Sequence, residues 1–217
     1  MLQLASEKVR RDSLEQTWLI IINWILLEAA GIDTVEIYVV NEPVRNAFCL
    51  PGGKVVVFTG IIPIAKDDNG MAAILAHEIA HQIAHHSSEN IARSKLLMWT
   101  YIIVSHLFID PGPFLGQLIM QLGILMPFSR MMESEADLIG IQIMAKACYD
   151  PEATIDMWRR MSAAEKDDIK PHEYVSTHPS NETRIAKLRE WLPKARRIRE
   201  DSDCHSFLDF RRSVWGS

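Results

Sequence analysis

Ala76-His77-Glu78-Ile79-Ala80-His81, inside the run Met71–Glu89, decides how the rest of this chain reads. In an α-helix, residues four apart lie about 40° apart on one face and roughly one turn along the axis. His77 and His81 therefore project the same way, near enough for both imidazoles to bind one zinc ion at about 2.0–2.1 Å. Glu78 flanks them and can reach a zinc-held water instead of the metal, as the base for that water's proton. Met71, Ile74, Leu75, Ile79 and Ile83 give the helix an apolar stripe beside this face, and Asp67, Asp68 or Asn69 can cap its start. His85 continues the histidine row. Eight residues from His77, however, it lies about 12 Å along the axis, too far to share an ion. It reads as a surface or supporting histidine, and His86 as pointing elsewhere.

Two histidines leave zinc one protein ligand short if its fourth position is to stay open. One known solution needs Gly and His three and six residues past the second histidine. Ala84 and Ser87 stand there, so that solution is excluded. The other takes a glutamate from a helix further on, and Glu133 and Glu135 are both candidates. A ligating histidine usually donates its second ring N–H to a carboxylate. Glu133 and Asp137, four apart, share a helical face, so Glu133 is read as the ligand and Asp137 as the residue that braces a histidine. Glu135 lies about 200° from Glu133 and points away.

Upstream, Ser6–Ala30 reads as a helix, apolar nearly all round its centre except at Asn23 and closed by Gly31. Val35–Val40, Arg45–Leu50 and Lys54–Thr59 read as strands, the last two joined at the turn Pro51-Gly52-Gly53. A peptidase must hold an extended peptide, and an open sheet edge does so by adding it as another strand. Asn46-Ala47-Phe48 is the candidate edge.

Downstream, Leu96–Phe108 and Phe114–Phe128 are apolar segments separated by Asp110-Pro-Gly-Pro113. Each is shorter than the roughly 18–20 residues that cross a bilayer. Two readings stay open for residues 96–128: a buried helical hairpin or lid, or a segment that dips into a membrane surface. Arg130–Lys146 reads as the helix of the glutamate ligand, Pro151–Ala164 and Asn181–Arg199 as helices, and Asp167–Ser180 as a polar loop.

Hydrophobic residues make up 48% of the 217, which allows one domain over 1–217 with a core of its own. A net charge of −5 argues against a general nucleic-acid binder. Cys49, Cys148 and Cys204 are odd in number, far apart and without a C-x-x-C pair, so free thiols are expected. No secretory signal is visible, and Glu7, Asp12 and Glu15 make the start a poor mitochondrial presequence.

Asn46-Ala-Phe48, Leu50-Pro-Gly-Gly-Lys-Val-Val-Val-Phe-Thr-Gly60, His77-Glu-Ile-Ala-His81, Ser129-Arg-Met-Met-Glu-Ser-Glu-Ala-Asp137, Tyr149-Asp-Pro151 and Ser176-Thr-His-Pro179 follow one another in that order. Over roughly residues 30–195 the chain resembles the gluzincin metallopeptidases related to the bacterial heat-shock protease HtpX, the chaperone-protease BepA and the CAAX prenyl protease. Its nearest branch looks like the mitochondrial inner-membrane protease named for overlapping activity with the m-AAA protease. The resemblance implies one zinc held by His77, His81 and Glu133, Glu78 as general base and Asp137 in support. It further implies that Asn46 and Ala47 contact the substrate backbone, that His178 stabilises the oxyanion, and that Arg184 joins the substrate side of the site.

The expected fold is α+β and mainly helical: a zincin-type peptidase domain with a small antiparallel sheet and two ligand-bearing helices. The expected function is zinc-dependent endoproteolysis of polypeptides, including membrane proteins, in quality control or stress-responsive processing at the mitochondrial inner membrane. Membrane association and a homo-oligomer accompany that reading. The alternative is a chaperone-like or regulatory protein that binds polypeptides beside a latent metal site, using the same sheet edge and the apolar segments of 96–128, which carry Met98, Met120 and Met126.

Overall fold

A computed structural model of the protein describes residues 14–32, 35–107, 126–167, 182–202 and 204. Helix α1 (Leu14–Ala30) buries Leu19, Ile22 and Leu26 and leaves Ile20 and Trp24 exposed. Its polar interruption, Asn23, is buried and donates from Nδ2 to the Val35 carbonyl at 3.0 Å, so it ties the helix to the start of the sheet. Gly31, at φ 71°, ends the helix as expected.

Strands β1 (Glu36–Val40), β2 (Ala47–Leu50) and β3 (Lys54–Phe58) form a sheet in the order β1-β3-β2. The β2–β3 hairpin is antiparallel, with Ala47 opposite Val57, and turns through Gly52 and Gly53 at φ 88° and 73°. The left-handed backbone of this turn favours glycine because a Cβ would crowd the chain. β1 instead runs parallel to β3, with Glu36 opposite Lys54. The sheet is therefore mixed and not wholly antiparallel. A tight turn fixes the hairpin locally, whereas β1 takes its neighbour and direction from long-range packing.

A 3-10 turn (Thr59–Ile61) and the short helix α2 (Ile62–Ala65) lead into α3 (Asp68–Ile83). Arg160 donates to the last carbonyls of α2, those of Ile64 at 2.7 Å and Ala65 at 2.9 Å, which would otherwise lack partners. Asp67 caps α3, accepting from the Gly70 N–H at 3.0 Å. Asn69 is occupied elsewhere and accepts from the Asp150 N–H. Every residue of α3 from Gly70 to His81 is buried. Around it lie α1, the β2 side of the sheet, α5 (Met126–Lys146) and α6 (Glu152–Asp167), while α7 (Glu182–Asp201) packs on α5 and α6. A helix enclosed on all sides in this way is the centre of the domain, which is mainly helical as the sequence predicts.

The helix expected over 71–90 does not run through. It stops at Ala84, His85 takes a left-handed φ of 55°, and α4 (His86–Leu107) starts immediately after. The described part of the apolar segment from Leu96 belongs to α4 and is not core: Leu96, Trp99 and Ile103 are 67%, 60% and 54% exposed. Among the described residues no helix is long and apolar enough to cross a membrane. Residues 108–125 and 168–181, Phe114 and His178 among them, lie outside the described residues.

The cysteines correct another expectation. Cys148 and Cys204 form a disulfide across 56 residues of sequence, leaving Cys49 as the free thiol. Spacing could not show this, because the pairing depends on the end of α7 lying against the end of α5.

Candidate metal centre

α3 and α5 pack face to face, and the close contact is possible because α5 presents Gly140 to the backbone of His77. That packing sets Glu133 against the two histidines. His77 Nε2 and His81 Nε2 are 3.1 Å apart. The Glu133 oxygens lie 3.3 Å from the first and 3.4 Å from the second. All three residues are buried, and their donor atoms lie within 4.8 Å of one another. Three electron-rich atoms turned on one point repel unless a cation or a proton lies among them. The set of two imidazoles and one carboxylate suits a metal ion with a position left open. The same surroundings favour a proton on His77: although burial works against its charge, hydrogen bonds to Asp137 and Glu133 and their negative charges raise its pKa from the ordinary 6.5 to about 9.

Asp137 is one turn beyond Glu133 on α5, and its Oδ1 lies 3.2 Å from His77 Nδ1. Arg184, from α7, donates to both Asp137 oxygens and also comes within 3.0 Å of Glu133 Oε2. Its guanidinium lies over the Trp158 ring, with Cζ 3.8 Å from the centroid, and the same ring meets His77 edge-on at 5.8 Å. The resemblance implied a place for Arg184 on the substrate side. Its guanidinium is buried and holds two carboxylates, those of Asp137 and Glu133.

His86 also departs from the sequence reading. Far from pointing elsewhere, it is buried, with Nδ1 2.8 Å from His81 Nδ1 and Nε2 3.3 Å from Glu135 Oε2. Glu135 does point away from Glu133, but towards this histidine. Five residues along an unbroken helix would set His86 about 140° round from His81. The left-handed turn at His85 folds it back, and no periodic pattern in the sequence signals such a break. Trp158 likewise gave no sign beyond its apolar character.

His81 and Glu133 open into a cleft lined by Phe48 and Cys49 of β2, Glu78 of α3, Ser87 of α4 and Met132 of α5. Glu78 is fully buried in its wall. β2 is an edge strand of the described sheet, and the Gln82 side chain holds its end by donating to the Leu50 carbonyl. The Asn46 carbonyl accepts from Phe58 N–H at 3.0 Å. By the alternation of an antiparallel ladder, the backbone groups of Ala47 and Cys49 then face the open edge. The side chains of Asn46 and Ala47 are themselves buried.

Comparison with known proteins agrees with this geometry. Residues 13–192 match the model of Peptidase family M48. The mitochondrial metalloendopeptidase OMA1 of Schizosaccharomyces pombe is 47% identical over 170 residues, 78% of this chain and 50% of that protein. Its namesake in Saccharomyces cerevisiae is 43% identical over 187 residues, 83% of this chain and 53% of that protein. The beta-barrel assembly-enhancing protease of Escherichia coli is 28% identical over 161 residues, 70% of this chain and 33% of that protein. The chain spans about half the length of the first two relatives. With most of its residues matched and a buried His-His-Glu set at its centre, this chain belongs to peptidase family M48.

Proposed function

We propose that this chain is the catalytic domain of a zinc-dependent endopeptidase that cuts polypeptides held along β2. The observation that carries this reading is the convergence of His77, His81 and Glu133 beside a buried Glu78, all next to an open strand edge. Zinc in such a set supplies Lewis acidity for a peptide carbonyl and acidifies water near neutral pH. Glu78 accepts the attacking water's proton and returns it to the departing amine. An extended substrate pairs with the outward backbone groups of Ala47 and Cys49 as an added strand. Asn46 supports that edge, Asp137 and Arg184 hold His77 and Glu133 in place, and His178 is assigned to the developing oxyanion. The names of the fungal relatives support a mitochondrial location, and the exposed apolar side of α4 supports contact with a membrane. Membrane-protein quality control at the mitochondrial inner membrane is the role these features fit.

The test compares wild type with Glu78→Gln for bound zinc and for cleavage of unfolded casein. About one zinc in each protein, with cleavage by the wild type alone, is the expected result. Zinc in both with cleavage by neither would favour a polypeptide-binding role. Absence of zinc from both would overturn the metal centre.

A further inference from the structure

The two ligand histidines are braced differently. Behind His77 stands a carboxylate, Asp137, itself gripped by Arg184. Behind His81 stands another imidazole, that of His86, and beyond it the carboxylate of Glu135. Nothing in the function proposed above uses His86 or Glu135.

The distances allow one consistent arrangement of protons. His81 Nε2 turns towards His77 Nε2 and Glu133, so as a ligand its lone pair must be free and its proton must sit on Nδ1. That proton can go only to an acceptor, and His86 Nδ1 lies 2.8 Å away. His86 is then the tautomer with its proton on Nε2, which faces Glu135 Oε2 at 3.3 Å. Each link donates in the same direction, from His81 to His86 to Glu135. The backbone is shaped for it: His85 adopts φ 55°, an uncommon conformation for a residue with a Cβ, and thereby places His86 under the His81 ring.

We propose that His86 and Glu135 form a positioning relay that fixes the tautomer and ring orientation of His81 as a metal ligand. The inference rests on the metal-centre reading. Neither residue touches the three donor atoms, so their effect passes entirely through His81. Partners of this kind typically change metal affinity by about 10–100-fold.

Zinc affinity of the apoprotein, measured by competition with a chromogenic chelator, and the visible spectrum of the cobalt(II) form test the relay. His86→Leu should weaken zinc binding by about 10–100-fold and alter the cobalt spectrum. His86→Asn, whose Oδ1 can accept the same N–H, should recover most of that loss. A purely structural His86 would lower the urea midpoint in both variants without a difference between them in affinity, which would overturn the proposal. Wild-type affinity and spectrum in a folded His86→Leu protein would overturn it as well. Should His86→Leu fail to fold, Glu135→Ala decides, because that side chain is 59% exposed and carries little of the fold. A weakening of about 10-fold is expected there, and an unchanged affinity removes Glu135 from the relay. Failure of the wild type to bind zinc would instead sink the metal centre before any variant is compared.

Discussion

Arg184 and Asp137 meet as a two-pronged buried pair: Nε donates to Oδ2 at 2.7 Å and Nη2 to Oδ1 at 2.6 Å. Burial by itself would push the Asp137 carboxyl up. The Arg184 charge, its hydrogen bonds and those of His77 reverse this and hold the carboxyl below its ordinary 3.8. Asp137 thus stays ionised beneath His77. Arg184→Met should cost about 3–5 kcal/mol, because it leaves a buried carboxylate without its partner. Arg184→Lys keeps the charge but loses the fork and should fall between the two. The sign of the pH dependence follows from the depressed pKa. This contribution is present above the unfolded value near 3.8 and is lost as pH falls below it. Urea unfolding at pH 7 and acid unfolding of the three proteins check both points. A Met variant with the wild-type urea midpoint would falsify the energetic role.

The Cys148–Cys204 bond joins the end of α5, which carries Glu133 and Asp137, to the end of α7, which carries Arg184. Closing a loop of 56 residues removes denatured-state entropy equivalent to about 4 kcal/mol at 25 °C. Reduction, or Cys204→Ser, should therefore lower the urea midpoint markedly, and a reductant should have no further effect on the serine variant. Equal midpoints for oxidised and reduced wild type would show that the bond contributes nothing to stability.

What could be read beforehand followed the period of the chain. His77 and His81 on one face, Glu133 and Asp137 on another, and the β2–β3 hairpin all rest on local repeats of about 3.6 or 2 residues, and all stand where those repeats put them. The features that were missed are set by tertiary contact. β1 runs parallel because of what it packs against, and Cys204 finds Cys148 only once α7 has docked. His86 reaches His81 only because the backbone turns left-handed at His85. The place of Arg184 depends on the α7–α5 contact, so its motif fixed a residue without fixing its partner.

Cys49 lines the cleft, yet its thiol should be inert. Burial, then the negative charge of Glu78, push it up from the ordinary 9.0 to about 12. At pH 8 a thiol so shifted carries about a thousandfold less thiolate, the species that reacts. A raised acid pKa contributes stability below about 9 that is lost as pH climbs towards 12. Iodoacetamide at pH 8 should therefore modify Cys49 far more slowly in the native protein than in urea. Glu78→Gln removes a negative charge and should speed the native reaction. No acceleration in that variant would mean that Glu78 is not ionised beside the thiol.

Gly140 lies at the close contact between α3 and α5. A Cβ there would stand 3.2 Å from the His77 backbone nitrogen and 3.3 Å from the Ala76 carbonyl carbon and oxygen. Those atoms belong to a helix enclosed on all sides, so relief requires α3 and α5 to move apart. Gly140 is seven residues beyond Glu133, hence almost directly two turns along the same face. Any separation at Gly140 is therefore passed to the distance between Glu133 and His77. On an open helix face Gly→Ala would stabilise by about 1 kcal/mol. Here overpacking, at about 1–3 kcal/mol, offsets or exceeds that gain. Gly140→Ala should leave the apoprotein no more stable than wild type and should weaken zinc binding, because the donor atoms are spread. Urea unfolding and chelator competition on the same samples measure both effects. A more stable variant with undiminished zinc affinity would mean that the helices have slack at this contact and that Gly140 does not govern the site.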